Sequence, residues 1–455
     1  MNKKLLLINP RSENNSINFN FFPTIVLGII EQLTPKNWDV TIVDENIEDL
    51  TDKDYDLVGI TSTHNINRAY KIAELYRQKA VPVIMGGMHV SAIPDEAMQY
   101  VDSVVVGNVE PLWIKIIHDF EAGSLKKQYI NNDNQYNFVE PCLNYFHKKY
   151  FAYALETSRG CFNNCSFCGI HIPFQQSYKR KPIEMIINEL KKTDNPFVFI
   201  IDNNFYGNDE NNMFLLFNEM IRQKISKVFF AAVSVGFFNN EKLVALAAKA
   251  GLKMVFIGFE SDTQETLGEL NKKNIRGVTG IFNEYKAIID LAHKNRILVS
   301  GKAIVGLEND TEEIINKRID FFSKLKLDEF SYSILTPLPG SVLFKKFQAE
   351  NKLLHTNFPD DWIKYDHCKN SFMHNNLSKE KLEIYASNYA KPGYRQMLRS
   401  LIITRSLKGL LLYYAYNYYM TNYKKAFLHF LLKTYTVING HCFPPTVNKT
   451  SLNEA

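Results

Sequence analysis

Three cysteines, Cys161, Cys165 and Cys168, are packed into the run Ser158-Arg159-Gly160-Cys161-Phe162-Asn163-Asn164-Cys165-Ser166-Phe167-Cys168-Gly169 with the spacing C-x3-C-x2-C. Thiolates are soft ligands suited to iron–sulfur clusters and to zinc. Three of them leave one iron of a cubane without a protein ligand, and an open coordination position is where a substrate can bind. A structural zinc site needs a fourth ligand, which His171 is near enough in sequence to supply, so zinc stays open on ligand count. Three cysteines this close cannot all pair as disulfides. A strand-like run, Phe151 to Leu155, leads into the cysteines, and a helix-like run begins after Pro182.

A chain of 455 residues is long enough for two or three domains, and 45% hydrophobic with 22% charged residues is the composition of a globular protein with a real core. A net charge of +5 is too mild for a nucleic-acid partner, which is read from a strong basic patch. The apolar run Leu5 to Ile8 stops at Asn9-Pro10, shorter than the core of a signal peptide, and fits a buried first strand. Cys142, Cys368 and Cys442 are scattered singly, and free thiols beside an oxygen-sensitive cluster point to a reducing cytoplasm.

Residues 1–125 alternate strand and helix patterns. Strands are expected at Lys4–Ile8, Asp39–Val43, Leu57–Thr61, Val81–Met85 and Ser103–Val106, with helices near Pro23–Leu33, Asn67–Lys79 and Pro94–Tyr100. This alternation predicts a doubly wound parallel sheet, with ligands beyond the carboxyl ends of its strands. Those ends are Asn9-Pro10, Asp44, Thr61-Ser62-Thr63, Gly86-Gly87 and Gly107. Glycines there let backbone approach a bulky ligand, although Gly86-Gly87 also reads as a plain turn. Residues 126–150 read as a polar linker. A second β/α series spans 151–345, with strands at Phe151–Leu155, Phe197–Ile201, Val228–Val233, Met254–Phe259, Ile297–Ile304 and Glu329–Leu335. Polar residues fall at its strand ends, where barrel folds carry their ligands: Asp202-Asn203-Asn204 after the second, Glu260-Ser261 after the fourth. Glu260 could accept hydrogen bonds from a ligand or form a buried structural ion pair.

The cysteine run resembles the radical S-adenosylmethionine (SAM) enzymes, and the preceding Ser-Arg-Gly resembles their cobalamin-binding branch. The resemblance covers about residues 1–345 and implies an α/β chain in three parts. These are a doubly wound, Rossmann-like cobalamin-binding domain (1–125), a partial (β/α)6 radical SAM barrel (151–345) and a mainly helical C-terminal region (346–455). It implies that Cys161, Cys165 and Cys168 hold a 4Fe–4S cluster whose fourth iron SAM chelates, with Phe167 against the adenine. It further implies that Asp202, Glu260 and Ser261 contact SAM or line the cavity, and that Thr61, Ser62, Thr63, Gly86, Gly87 and Gly107 form the cobalamin pocket. Two departures matter. No Asp-x-His-x-x-Gly motif is present and the histidines here, His64 and His89, lack that context, so cobalamin would bind without a histidine on cobalt, and His89 reads as a hydrogen-bonding loop residue. Gly107-Asn108-Val109-Glu110 stands where Gly-Glu-Gly-Glu is usual.

The implied activity is methyl transfer to an unactivated carbon through a 5′-deoxyadenosyl radical and methylcobalamin. Partners would be an organic substrate and an external one-electron reductant of flavodoxin or ferredoxin type. Non-methylating cyclisation or ring rearrangement is the alternative within the family, and a cobalamin- or redox-sensing module the alternative outside it. A sensor has no need of a SAM site. Methylthiotransferases carry additional N-terminal cysteines, and none precedes Cys142. From Ile384 to Asn453 there are nine Lys and Arg and no Asp or Glu, a composition open to a membrane-facing surface or a packed lid.

Overall fold

The computed structural model describes residues 2–11, 22–51, 53–63, 65–131, 137–143, 150–170, 178–272 and 280–387. The first sheet contains β1 (Lys3–Asn9), β2 (Trp38–Asp44), β3 (Leu57–Thr61), β4 (Val83–Gly86), β5 (Ser103–Val106) and β6 (Gln128–Ile130). Its order is β2-β1-β3-β4-β5-β6, parallel throughout. The run Leu5 to Ile8 is continuously apolar because both faces of the sheet are covered. Leu5 and Leu7 share a core with helices 25–33 and 113–121, while Leu6 and Ile8 share one with helix 66–78. The chain leaves β1 for β2 on one side and returns to β3 on the other, so the ligand crevice of such a fold opens above β1 and β3.

One boundary needs correction. Gln128–Ile130 falls inside the stretch expected to be linker, yet pairs with β5 through Val104–Gln128, Val105–Tyr129 and Val106–Ile130. A three-residue edge strand has too little apolar pattern to stand out in the sequence.

The second sheet runs β7 (Tyr153–Leu155), then, after an antiparallel pair β8 (Ser158–Gly160) and β9 (Tyr178–Arg180), β10 (Phe197–Ile200), β11 (Val228–Ala232), β12 (Leu252–Glu260), β13 (Leu298–Val305) and β14 (Glu329–Ile334). Its order is β14-β13-β12-β11-β10-β7, parallel throughout, the six-stranded open barrel expected. Alternation sorts the side chains. Val198, Phe229, Val255, Val299 and Phe330 point outward into the core shared with the surrounding helices. Phe197, Phe199, Phe230, Met254, Phe256 and Leu298 gather on the inner face. Arg318 ties the loops after β12 and β13 together: its guanidinium donates to Asp262 and, at 2.9 and 3.0 Å, to both oxygens of Asp310.

The two sheets are docked by specific contacts. Tyr150 donates to Asp44 Oδ2 at 2.8 Å, and Phe22 stacks on Phe199 of the barrel's inner face at 4.8 Å. After the barrel, Phe344, Trp362 and Tyr365 join the core of the first domain. Trp362 Nε1 donates to Glu96, which also accepts from Tyr70 and contacts His89 Nε2 at 3.2 Å. Burial works against the Glu96 charge, but those hydrogen bonds hold its carboxyl below the usual carboxylate range. Within the described part of the C-terminal region, the helices after Val342–Ala349 are a 3-10 turn at Asp360–Lys364 and Lys379–Ser387. The acid-free stretch lies outside the described residues from 388 onward. Among the described residues, no helix is long and apolar enough to cross a membrane.

Candidate active site

The cysteine loop hangs between β8 and β9, which pair through Ser158–Arg180, Arg159–Lys179 and Gly160–Tyr178. The strand end after β10 anchors its entry. Asp202 accepts from Thr157 N at 2.7 Å, Thr157 Oγ1 at 2.5 Å and Ser158 Oγ at 2.6 Å, and Asn203 Oδ1 accepts from Gly160 N at 3.1 Å. Asp202 is buried with its oxygens spent on this turn, so it positions the loop. Burial raises its carboxyl pKa, opposed by the hydrogen bonds from Ser158 and Thr157. The far side of the loop is held by Ser166 N donating to Leu270 O, Asn271 Nδ2 to Asn164 O at 2.7 Å, and Leu343 N to Ser166 O.

Cys161, Cys165 and Cys168 are free and partly exposed. Burial pushes all three thiols up, Cys165 to about 11, and each of Cys165 and Cys168 also feels the charge of Cys161. Lys272 opposes the rise at all three. Among the described residues no three Cys, His, Asp or Glu side chains converge as they would on one metal ion. A cluster makes a different demand, since each thiolate binds its own iron. Three neighbouring thiols with a cation beside them fit that donor set, and metal binding would displace their protons. His171, the fourth ligand of the zinc reading, lies outside the described residues.

Facing the loop, Glu260 ends β12 after a register shift between Gly258 and Glu260. Its φ of +62° is a strained conformation for a residue with a side chain, and such strain gathers at functional sites. Glu260 Oε1 accepts from Lys272 Nζ at 2.6 Å, and the pair lies over Gly258, where an added Cβ would come within 2.1 Å of Glu260 Oε1. Coupling to Glu260 raises the Lys272 pKa against the effect of burial. Ser261 is fully buried, its Oγ donating to Asp262 and accepting from Thr263 N. Phe167 packs half-buried against the barrel core.

The strand ends of the first sheet pack closely against one another through backbone. Ser62 N donates to Gly86 O, and the Ser62 hydroxyl and Thr63 N both donate to Asn65 Oδ1. Gly87 has φ +116°, and a Cβ there would lie 2.2 Å from Ser62 O. Thr61 closes β3, and Gly107, with φ +82°, donates from N to Ser91 Oγ. Next to Gly107, the buried Asn108 Nδ2 has no hydrogen-bond partner among the described residues. An unpartnered buried donor beside the strand ends fits a bulky ligand with polar edges such as a corrinoid. His89 is engaged with Glu96 and stands edge-on to Trp362 at 5.0 Å, as its hydrogen-bonding reading required.

Arg159 joins the two halves of the site. Its Nη1 donates to Asn108 Oδ1 at 2.8 Å and Glu110 Oε1 at 2.7 Å in the loop after β5, while Nε and Nη2 form a fork with Glu156 at 2.7 Å. Burial alone would lower its pKa, but Glu156 and Glu110 drive it above the ordinary value. The unusual Gly107-Asn108-Val109-Glu110 loop is therefore the acceptor for the arginine two residues before Cys161. Sequence reasoning missed this contact and Lys272.

A three-thiol loop at the mouth of an open barrel, bolted to a doubly wound domain, defines a two-cofactor radical enzyme. The family models agree: residues 155–322 match the radical SAM superfamily and residues 22–112 the B12 binding domain. This chain is a member of the cobalamin-binding radical SAM enzymes, and its cofactors are a 4Fe–4S cluster, SAM and cobalamin. It is 27% identical to the bacteriochlorophyllide d C-12(1)-methyltransferase of Chlorobaculum tepidum over 90% of each chain. Its fold is similar to the methyltransferase TsrM from Kitasatospora setae with cobalamin and a [4Fe-4S] cluster bound (TM-score 0.64, 16% identity, 79% of this chain and 80% of that one). It is also similar to the cobalamin-dependent SAM radical enzyme OxsB with aqua-cobalamin and SAM bound (TM-score 0.67, 15% identity, 96% of this chain and 73% of that one).

Proposed function

We propose that the chain transfers a methyl group to an unactivated carbon of an apolar, ring-bearing organic substrate. The observation that carries the proposal is the Arg159 junction, which fixes the cysteine loop to the strand end beside Gly107 and so sets the radical-generating and corrinoid sites against each other. When bound, the cluster with SAM supplies a 5′-deoxyadenosyl radical and cobalamin supplies a transferable methyl group. Everything else is positioning and exclusion of water. Cys161, Cys165 and Cys168 hold the cluster. Glu260, held by Lys272 at the strained end of β12, presents an acceptor towards SAM, and Phe167 flanks it. Thr61, Ser62, Thr63, Gly86, Gly87 and Gly107 wall the corrinoid. Phe22, Phe199, Phe230 and Phe256 floor the barrel's inner face and keep water from the radical. An apolar floor of rings supports a ring-bearing substrate, and a relative named for a bacteriochlorophyllide supports a tetrapyrrole among such rings.

The test uses SAM labelled in its methyl group, a reductant and the substrate. Methylation consumes two SAM molecules for different ends, so 5′-deoxyadenosine and S-adenosylhomocysteine should form in near-equal amounts while the product gains one labelled methyl. Formation of 5′-deoxyadenosine without matching S-adenosylhomocysteine, and a product with no added carbon, would favour the non-methylating chemistry.

The electron would come from a flavodoxin- or ferredoxin-type donor in a reducing cytoplasm. The cationic, aromatic composition from Ile384 to Asn453 supports a peripheral membrane contact. Co-sedimentation with anionic vesicles should then be strong at low salt and weaker at moderate salt, and absence of binding at both would reject it.

A further inference from the structure

The inner face of β13 carries Leu298, Ser300 and Lys302, by strand alternation from Leu298 in the inner aromatic cluster, while Val299, Ala303, Ile304 and Val305 belong to the outer core. Lys302 is the one exposed residue of a strand whose other seven are buried. It pairs in register with Gly258 on one side and Ser331 on the other. Gly258 has no side chain and is the residue over which the Glu260–Lys272 pair lies, so the Lys302 side chain opens towards the same cavity as the cysteine loop. The neighbouring cations are committed: Lys272 to Glu260, Arg159 to Glu110 and Glu156, Arg318 to Asp262 and Asp310. Among the described residues the Lys302 side chain has no ion pair and no hydrogen bond. An exposed ammonium on a face whose neighbouring cations are committed is free to meet an anionic ligand.

We propose that Lys302 binds a carboxylate of the substrate, so that the substrate is an apolar ring molecule with an acidic arm. The rings rest on Phe199, Phe230 and Phe256, which occupy the inner faces of β10, β11 and β12, and the acid reaches across to β13 and β14. Ser300 and Ser331, on the same face as Lys302, are placed to add hydroxyl donors. A single lysine is a point charge and suits a monoanion. Glu329 lies one step lower on this face, paired in register with Ser300, and a second negative charge would meet it, which disfavours a phosphate. The proposal rests on the methyl-transfer reading for the location of the substrate, but its test is one of binding.

Pheophorbide a, a planar ring system with a free propionic acid, is titrated into the anaerobic holoprotein with SAM and cobalamin bound, alongside its propionate methyl ester. The shape is shared and only the charge differs. Fluorescence should show the acid binding about ten-fold tighter or more, the scale of one charge-assisted contact. Lys302→Met should abolish the preference, and Lys302→Arg should keep it. Failure of wild type to bind either compound, or a preference that survives Lys302→Met, would overturn the proposal. The other carboxylate in the cavity is that of SAM itself. Equilibrium dialysis of SAM should therefore give the same affinity for wild type and Lys302→Met, and a ten-fold loss would assign the lysine to SAM instead. Because no turnover is read, a chain that binds the acid through Lys302 yet forms no S-adenosylhomocysteine would fail the methyl-transfer reading alone.

Discussion

Replacing Cys161, Cys165 and Cys168 together by alanine should reduce the iron held after anaerobic reconstitution from about four per chain to background and abolish 5′-deoxyadenosine formation. The effect is expected to be all-or-none because three thiolates are the whole protein ligand set of a cubane with one open iron. The fold should survive. The thiols are partly exposed, and the loop is held by contacts that do not use them: Asp202 to Thr157 and Ser158, Asn271 to Asn164, and Leu270 to Ser166. Circular dichroism should therefore match wild type while both iron and product disappear. Normal 5′-deoxyadenosine from the triple variant would remove the cluster from the site.

Arg159→Met should destabilise the chain by roughly 3–5 kcal/mol, because it leaves buried carboxylates without their partner. Glu110 is almost fully buried, and Glu156 is only slightly more open. The loss should fall on the junction between the two domains. Limited proteolysis between the first sheet and the barrel should accelerate, and the single denaturation transition should broaden or split. Adding Glu110→Gln to Arg159→Met should recover part of the loss, since the orphaned charge goes with it. Additive losses in the double variant would mean that Arg159 and Glu110 do not act as a pair.

What could be read in the sequence divides along a physical line. The cysteine loop was legible because its ligands are local and their spacing is set by the cluster. The strands of both sheets were legible because burial on both faces makes continuous apolar runs such as Leu5–Ile8 and Val198–Ile200. The placement of polar groups at strand ends was also legible, but not what they do there. Asp202 and Ser261 stand where expected, yet their oxygens turn to backbone and neighbouring hydroxyls, and no local pattern reports a side chain's direction. Lys272 and the Asn108–Glu110–Arg159 junction join residues far apart in sequence, so only the fold brings them together. Lys302 did leave a signal, the lone charge in the otherwise uncharged run Leu298-Val299-Ser300-Gly301-Lys302-Ala303-Ile304-Val305.

The central claim is that one chain holds a corrinoid and a radical-generating cluster close together, with no protein histidine on cobalt. It is tested most directly by the electron paramagnetic resonance spectrum of the anaerobic holoprotein, poised with cobalt as Co(II) and then with the cluster also reduced. The account predicts a protein-bound Co(II) signal without superhyperfine splitting from an axial nitrogen, since His89 is held by Glu96. That signal should broaden when the nearby cluster becomes paramagnetic. A nitrogen-split Co(II) signal from a protein histidine, no bound Co(II) at all, or a signal indifferent to the reduction of the cluster would contradict it.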